Sequence, residues 1–211
     1  MHIPVSPNRV LLIPGYGTGV TYALWRPRRQ ELRGFAVFAH TPGVELFEWG
    51  EELHYHLFSS LNPLASYQLY RTEQRLVRDP DLQAKLRERI KEFDPEVIVA
   101  HSMGGVLLLA SLRETNRSLR KIIFAGSDVR VNPESRTRLQ DYVKYGVELH
   151  NLYCPWDQAL LASLGLNLSV PLGLRAHPLF RSHFLPLYRT WNLHESSLHD
   201  PYLRHLALDP E

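Results

Sequence analysis

The feature that most constrains the fold is a junction near the middle of the chain, in residues 97–110. A short β-branched run ends at Ala100, a His-Ser pair and two glycines follow, and then a long apolar, helix-forming run begins. A strand that turns sharply into a helix at a serine lifts the hydroxyl out of the sheet and directs the N–H groups of the helix N-terminus to the same place. Small residues two positions before and after Ser102 fit such a tight turn.

A second junction lies near the start of the chain. The apolar run Val10–Ile13 predicts another buried strand, which ends in a glycine-rich turn over residues 14–19. Gly15, Gly17 and Gly19 do not have the spacing of a dinucleotide-binding loop, and no Gly-Lys-Ser/Thr follows them. Nucleotide binding is therefore disfavoured for this turn.

Together the two junctions resemble the α/β-hydrolase superfamily, in which a Gly-x-Ser-x-Gly turn between a strand and a helix carries the nucleophile. Here the pattern is Ala-x-Ser-x-Gly, with Ala100 in place of the first glycine. The resemblance implies that Ser102 is the nucleophile and that the backbone amides of Tyr16 and Met103 form the oxyanion hole. The alternative is a buried strand joined to a buried helix, with Ser102 serving only as the helix cap.

In this superfamily the acid and the base of the catalytic triad follow the serine along the chain, the acid first. Asp157 follows a predicted buried strand and precedes a predicted helix, so the resemblance implies that it is the acid; Asp128, one strand earlier, is the alternative. His199 follows the last predicted strand and directly precedes a predicted helix, so it is the implied base, with His194 as its competitor. The implied triad is therefore Ser102, Asp157 and His199.

Apolar strand-like runs alternate with helical patterns along the chain, which predicts an α/β fold: a mainly parallel sheet of about six strands with helices on both faces. The predicted strands are Val10–Ile13, residues 44–49, residues 96–100, Lys121–Ala125, residues 146–153 and residues 187–193. Residues 21–32 are predicted to be helical or irregular, and helices are predicted at 80–93, 103–112, 135–145, 158–164 (closed by Gly165) and from 201 onward. The aromatic-rich residues 49–76 are long for a connection, which predicts a small cap over the cleft.

Composition narrows the classes of function. The chain has 211 residues, 44% of them hydrophobic, which suits a single α/β-hydrolase domain over residues 1–211. A formal net charge of +2 is too small to indicate nucleic-acid binding, and no apolar run is long enough to form a transmembrane segment. The single cysteine, Cys154, excludes an internal disulfide, and the first residues lack a signal-peptide pattern, so a cytoplasmic location is expected.

The resemblance implies a serine hydrolase of the carboxylesterase or acyl-hydrolase kind, which cleaves a small-molecule ester through an acyl-enzyme. Thioesters and amides are less favoured substrates, and the resemblance implies neither a metal nor an organic cofactor. Residues 48–56 contain several Glu and His side chains but lack the His-Glu-x-x-His spacing, so a polar rim is favoured over a metal site. The alternative function is a non-catalytic hydrolase-fold protein that binds or scaffolds a partner, against which the intact triad argues.

Overall fold

The computed structural model describes residues 9–15, 42–49, 63–113 and 118–185. The strands among them are β1 (Val10–Ile13), β2 (Val44–Leu46), β3 (Val97–His101), β4 (Lys121–Ala125), β5 (Glu148–Tyr153) and β6 (Arg181–Phe184). The helices among them are α1 (Pro63–Leu76), α2 (Pro80–Phe93), α3 (Met103–Ser111), α4 (Pro133–Lys144) and α5 (Gln158–Asn167), followed by a 3-10 turn at Leu172–Leu174. None of the described helices is both long and apolar enough to cross a membrane.

All six strands run parallel in one sheet with the order β2-β1-β3-β4-β5-β6. The chain steps from β1 to β2 in one direction, then crosses back and continues from β3 to β6 in the other. The direction of winding therefore reverses between β1 and β3, and open parallel sheets bind ligands at the carboxyl ends of the strands beside such a reversal. Gly15 follows β1 and Ser102 follows β3, so the two predicted junctions meet at this place.

Strands β1, β3 and β4 have buried side chains on both faces of the sheet, since successive side chains of a strand point to opposite sides and nearly all of them are buried. Residues such as Ile98 and Phe124 face the apolar sides of α2, α3 and α4 in the larger hydrophobic cluster. The alternate residues, such as Val99 and Ile123, form a separate cluster on the other face. Burial on both faces explains why these strands read as continuous apolar runs in the sequence.

Capping residues set where several helices begin. The side chain of Asp79 accepts a hydrogen bond from the amide of Asp81, with proline at the first position of α2. At the start of α4, Asn132 and Ser135 exchange side-chain to backbone hydrogen bonds as a capping box. These local devices explain why both helices could be predicted from the sequence.

Most predicted elements that fall on the described residues are found, and α5, α1 and the sixth strand differ from expectation. Strands β1 and β4 have the predicted bounds, and β2, β3 and β5 differ only at their ends. Helix α5 continues to Asn167, so the expectation that Gly165 closes it is wrong; Leu168, in the left-handed conformation, ends it instead. Helix α1 was not predicted as a helix and lies within the stretch interpreted as a cap.

The sixth strand is also displaced from its prediction. It is formed by Arg181–Phe184, whose polar, partly exposed residues give no apolar run. The predicted strand at residues 187–193 lies outside the described residues, as do residues 21–32 and the predicted helix from residue 201 onward. Among the described strands β6 lies at the edge of the sheet, and an edge strand needs less apolar surface, which explains why the sequence pattern missed it.

Candidate active site

Ser102 forms the turn between β3 and α3, and its backbone is strained. We call residues 100–104 the elbow. Ser102 has φ 51° and ψ −126°, and its side chain makes no capping hydrogen bond to α3. Two other described non-glycine residues with positive φ, Asp94 and Leu168, end helices, where the left-handed conformation is common. Ser102 begins a helix instead, so the alternative in which it merely caps that helix does not explain its conformation.

The elbow packs tightly against the end of β1. A Cβ atom on Gly15 would lie 2.9 Å from the Cβ and 3.5 Å from the Oγ of Ser102. A Cβ atom on Gly104 would lie 2.4 Å from the carbonyl oxygen of Pro14. The indole N–H of Trp49 donates to that same carbonyl at 2.9 Å. Glycines at both junctions therefore allow the chain after β1 to approach the first turn of α3.

The carbonyl oxygen of Ser102 accepts hydrogen bonds from three donors. They are the amide of Gly105 at 3.1 Å, the amide of Asp128 at 3.2 Å and the hydroxyl of Ser127 at 3.3 Å. The amide of Ser102 donates to the carbonyl of Ala125 at 3.3 Å. These contacts join the elbow to the loop after β4, and they offset the cost of the strained backbone, which is about 1–3 kcal/mol for such a residue.

One of the two predicted oxyanion donors lies in the described structure. Met103 is buried and is the first residue of α3, so its amide belongs to the turn whose N–H groups point out of the helix N-terminus. These amides carry partial positive charge beside Ser102. Tyr16, the other predicted donor, follows Gly15 and lies outside the described residues.

Asp157 lies just beyond the carboxyl end of β5, as predicted. Its side chain is 2% exposed and caps α5 by accepting a hydrogen bond from the amide of Leu160 at 3.1 Å. Asp157 therefore lies at the same edge of the sheet as Ser102, the carboxyl end of the strands. The two candidate bases, His199 and His194, lie outside the described residues.

Asp128, the alternative acid, is engaged by a polar network. Its Oδ1 accepts from the hydroxyl of Ser163 at 2.7 Å, and its Oδ2 accepts from the hydroxyl of Tyr70 at 3.1 Å. The guanidinium of Arg130 forms an ion pair with Oδ2 at 2.8 Å and donates to the main-chain oxygen of Asp128 at 2.6 Å. Both carboxylate oxygens therefore hold α1, α5 and the loop after β4 together.

Glu73 of α1 adds a second carboxyl group beside this network. Burial, reinforced by the negative charge of Asp128, raises the pKa of Glu73 from 4.5 to about 8. At neutral pH Glu73 is therefore mostly protonated, which avoids placing two carboxylates together. The sequence pattern did not indicate Glu73, because its helix was not predicted, or Ser127, although Ser127 lies only two residues after a predicted strand at the carboxyl edge.

Other nucleophile or base candidates in the described part of the chain occupy different settings. Burial raises the pKa of the Cys154 thiol, which keeps it protonated and a poor nucleophile. His150 and His183 lie within β5 and β6 rather than beyond their ends, with Nδ1 of His150 3.0 Å from Nε2 of His183. Burial lowers the pKa of both imidazoles. These three side chains are part of the packed sheet and its edge.

A cavity of about 480 Å³ lies along α3 from Met103 to Ala110, and neither Ser102 nor Asp157 lines it. Met103, Val106 and Ala110 share one stripe of that helix and form its apolar wall. Its polar wall includes Asp128, Arg78, Arg130, Asn132, Ser135 and Arg138. The volume falls within the range of small-molecule sites, about 300–1,000 Å³.

Comparisons of the chain with protein-family models, with curated proteins and with solved structures found no match. Within residues 9–15, 42–49, 63–113 and 118–185, no three His, Cys, Asp or Glu side chains are grouped so that they could hold a metal ion. Of the Glu and His set in residues 48–56, all but Glu48 lie outside these ranges. The function is therefore inferred from the geometry of the elbow and its surroundings.

Proposed function

We propose that the protein is a serine hydrolase with the α/β-hydrolase fold, which cleaves a carboxylic ester through an acyl-enzyme on Ser102. One observation carries the proposal: Ser102 has a positive φ of 51° at a strand-to-helix turn, beside the reversal in strand order. Backbone strain at a residue that bears a Cβ persists only where the fold enforces it, and such residues cluster at functional sites. The nucleophile elbow of α/β-hydrolases is a strained turn of this kind.

The proposed reaction uses side chains and backbone amides of this chain. His199 accepts the hydroxyl proton as Oγ of Ser102 attacks the ester carbonyl, and Asp157 holds the imidazole in the required tautomer. The amides of Tyr16 and Met103 donate hydrogen bonds to the oxyanion. In comparable sites each such donor stabilises the transition state by roughly 3–4 kcal/mol. The tetrahedral intermediate then expels the alcohol, which takes the proton from His199, and water releases the acid by the same steps.

A small-molecule ester is the proposed substrate, with thioesters and amides less favoured. We also propose a cytoplasmic location, since the single cysteine, Cys154, provides no disulfide framework of the kind that secreted domains use.

Labelling with a fluorophosphonate probe, followed by intact-mass measurement, tests the proposal. We expect the wild-type protein to gain one phosphonyl group and to hydrolyse p-nitrophenyl acetate, whereas Ser102→Ala should do neither while remaining folded. Ser111→Ala is the control, because Ser111 is a buried serine of α3 whose hydroxyl donates to the carbonyl of Leu107 at 2.8 Å. A folded wild-type protein that is neither labelled nor active would refute the proposal and favour the non-catalytic alternative.

A further inference from the structure

We propose that Ser127 is a positioning residue for the oxyanion hole and acts through the peptide group between Ser102 and Met103. This inference rests on the proposed hydrolase function. Ser127 follows β4 by two positions and is 0% exposed. Its hydroxyl donates to the carbonyl oxygen of Ser102 at 3.3 Å. The residue therefore contacts the backbone of the elbow from the loop after β4.

The carbonyl of Ser102 and the amide N–H of Met103 belong to the same peptide group. A trans peptide group is planar, so its C=O and N–H point in opposite directions and can only turn together. Donors that hold the oxygen of Ser102 therefore also fix the direction of the Met103 N–H. The oxygen is held towards the loop after β4, so the N–H points away from that loop, out of the N-terminus of α3.

The three donors to this oxygen differ in origin. The amide of Gly105 belongs to α3 itself, whereas the Ser127 hydroxyl and the Asp128 amide come from the loop after β4. Of these three, only the two donors from the loop connect the carbonyl of Ser102 to a neighbouring part of the sheet. A hydrogen bond to a carbonyl also polarises its peptide group, which makes the N–H on the other side a stronger donor. Ser127 thus directs the Met103 amide and strengthens it.

Two glycines create the space for this arrangement. A Cβ atom on Gly105 would lie 2.0 Å from the Oγ of Ser127, so any side chain there would displace the hydroxyl. On the other side of the loop, the amide of Gly173 donates to the carbonyl of Ser127 at 2.9 Å. A Cβ atom on Gly173 would lie 2.6 Å from the backbone nitrogen of Ser127. The main chain of Ser127 is therefore fixed closely enough to place its hydroxyl.

Ser127→Ala tests the proposal, with Ser111→Ala as the matched control. Both substitutions remove a buried hydroxyl that donates to a backbone carbonyl, at the elbow for Ser127 and at Leu107 within α3 for Ser111. We expect Ser127→Ala to lower both kcat for p-nitrophenyl acetate and the rate of fluorophosphonate labelling about tenfold, with little change in KM. Ser111→Ala should lower the midpoint of urea unfolding by an amount comparable to Ser127→Ala, yet keep both the hydrolysis rate and the labelling rate.

Affinity for a boronic acid, which forms a tetrahedral adduct with the serine, gives a readout that a purely structural contact would not change. We expect this affinity to fall about tenfold in Ser127→Ala and to be retained in Ser111→Ala. Gly105→Ala supplies a second route to the same defect, since it displaces the hydroxyl of Ser127. Its effect on kcat should be much smaller when Ser127 is already alanine.

The outcomes separate this inference from the proposed function on which it rests. Wild-type rates and boronic-acid affinity in Ser127→Ala, with labelling of Ser102 intact, would overturn the positioning role and leave the hydrolase proposal standing. Equal rate losses in Ser127→Ala and Ser111→Ala would also overturn it, because they would reflect lost stability alone. A folded wild-type protein that the probe does not label would overturn both proposals.

Discussion

The loops after β4 and β5 each carry a buried aspartate at the carboxyl edge of the sheet, but they use it differently. Asp128 is neutralised by Arg130 and accepts hydrogen bonds from hydroxyl groups of α1 and α5. Asp157 caps α5 through the amide of Leu160. Position at the edge of the sheet therefore does not decide what such an aspartate does. A carboxylate already engaged by a guanidinium stabilises the fold, whereas a triad acid must hold an imidazole.

The two loops also differ in which groups they offer to the elbow. The loop after β4 contacts the carbonyl of Ser102 through the hydroxyl of Ser127 and the backbone amide of Asp128. The carboxylate of Asp128 points into the network with α1 and α5 instead. In the proposed mechanism the loop after β5 contributes the carboxylate of Asp157 itself. Substitutions of the two aspartates should therefore separate effects on stability from effects on turnover.

The largest expected effect is on turnover in Asp157→Asn. We expect kcat to fall on the order of 10⁴-fold, because asparagine can favour the wrong imidazole tautomer and cannot stabilise the imidazolium. Steady-state hydrolysis of p-nitrophenyl acetate measures this fall, and circular dichroism checks that the variant is folded. Asp128→Asn is the matched control and should keep kcat within a few-fold per folded molecule. The opposite result in the two variants would make Asp128 the acid.

The second largest expected effect is on stability in Asp128→Asn. Loss of the carboxylate leaves the guanidinium of Arg130 without its buried partner, which costs about 3–5 kcal/mol for a buried pair. We expect about 3 kcal/mol, since the Arg130 side chain is 24% exposed. The midpoint of urea unfolding at constant slope measures the loss.

Asp141→Asn is the control for that measurement. Its ion pair with Lys144 is exposed, with side chains 49% and 73% accessible, so it should cost less than about 1 kcal/mol. Equal small losses in Asp128→Asn and Asp141→Asn would show that the network around Asp128 contributes little to the fold. The contrast between the two loops would then rest on turnover alone.

The sequence best predicts the parts of the molecule whose structure is determined by neighbouring residues. The elbow is contiguous in residues 100–104, and α2 starts at an Asp-Pro pair, so both could be predicted from neighbouring residues. The contrast between Asp128 and Asp157 could not be predicted. The partners of Asp128 include Tyr70 and Ser163, which are 58 and 35 residues away along the chain. The tertiary fold, rather than the spacing of residues along the sequence, brings these side chains into contact.

The same reasoning explains the missed elements. Helix α1 has polar residues such as Tyr70 and Gln74 on the side that meets α5, so its pattern lacks a clear apolar stripe. Strand β6 has a mostly polar sequence and, among the described residues, pairs with β5 alone. In both cases contacts with distant parts of the chain, rather than local propensity, determine the secondary structure.

The smallest expected effect is a pH dependence of stability on the β4 side, which comes from Glu73. Its pKa is raised from 4.5 to about 8 in the folded protein, so between these values the folded state holds a proton that the unfolded state has released. Stability from this group is therefore fully present below pH 4.5 and is lost as the pH rises to about 8. We expect the free energy of unfolding of the wild-type protein to fall by about 1 kcal/mol between pH 6.5 and 7.5, relative to Glu73→Gln, which stays neutral throughout.

Urea unfolding of both proteins at the two pH values measures this difference, in which the contributions of the other titrating groups cancel. If the free energies of unfolding of the two proteins changed with pH in parallel, Glu73 would be ionised in the folded state, and the network around Asp128 would tolerate two neighbouring carboxylates.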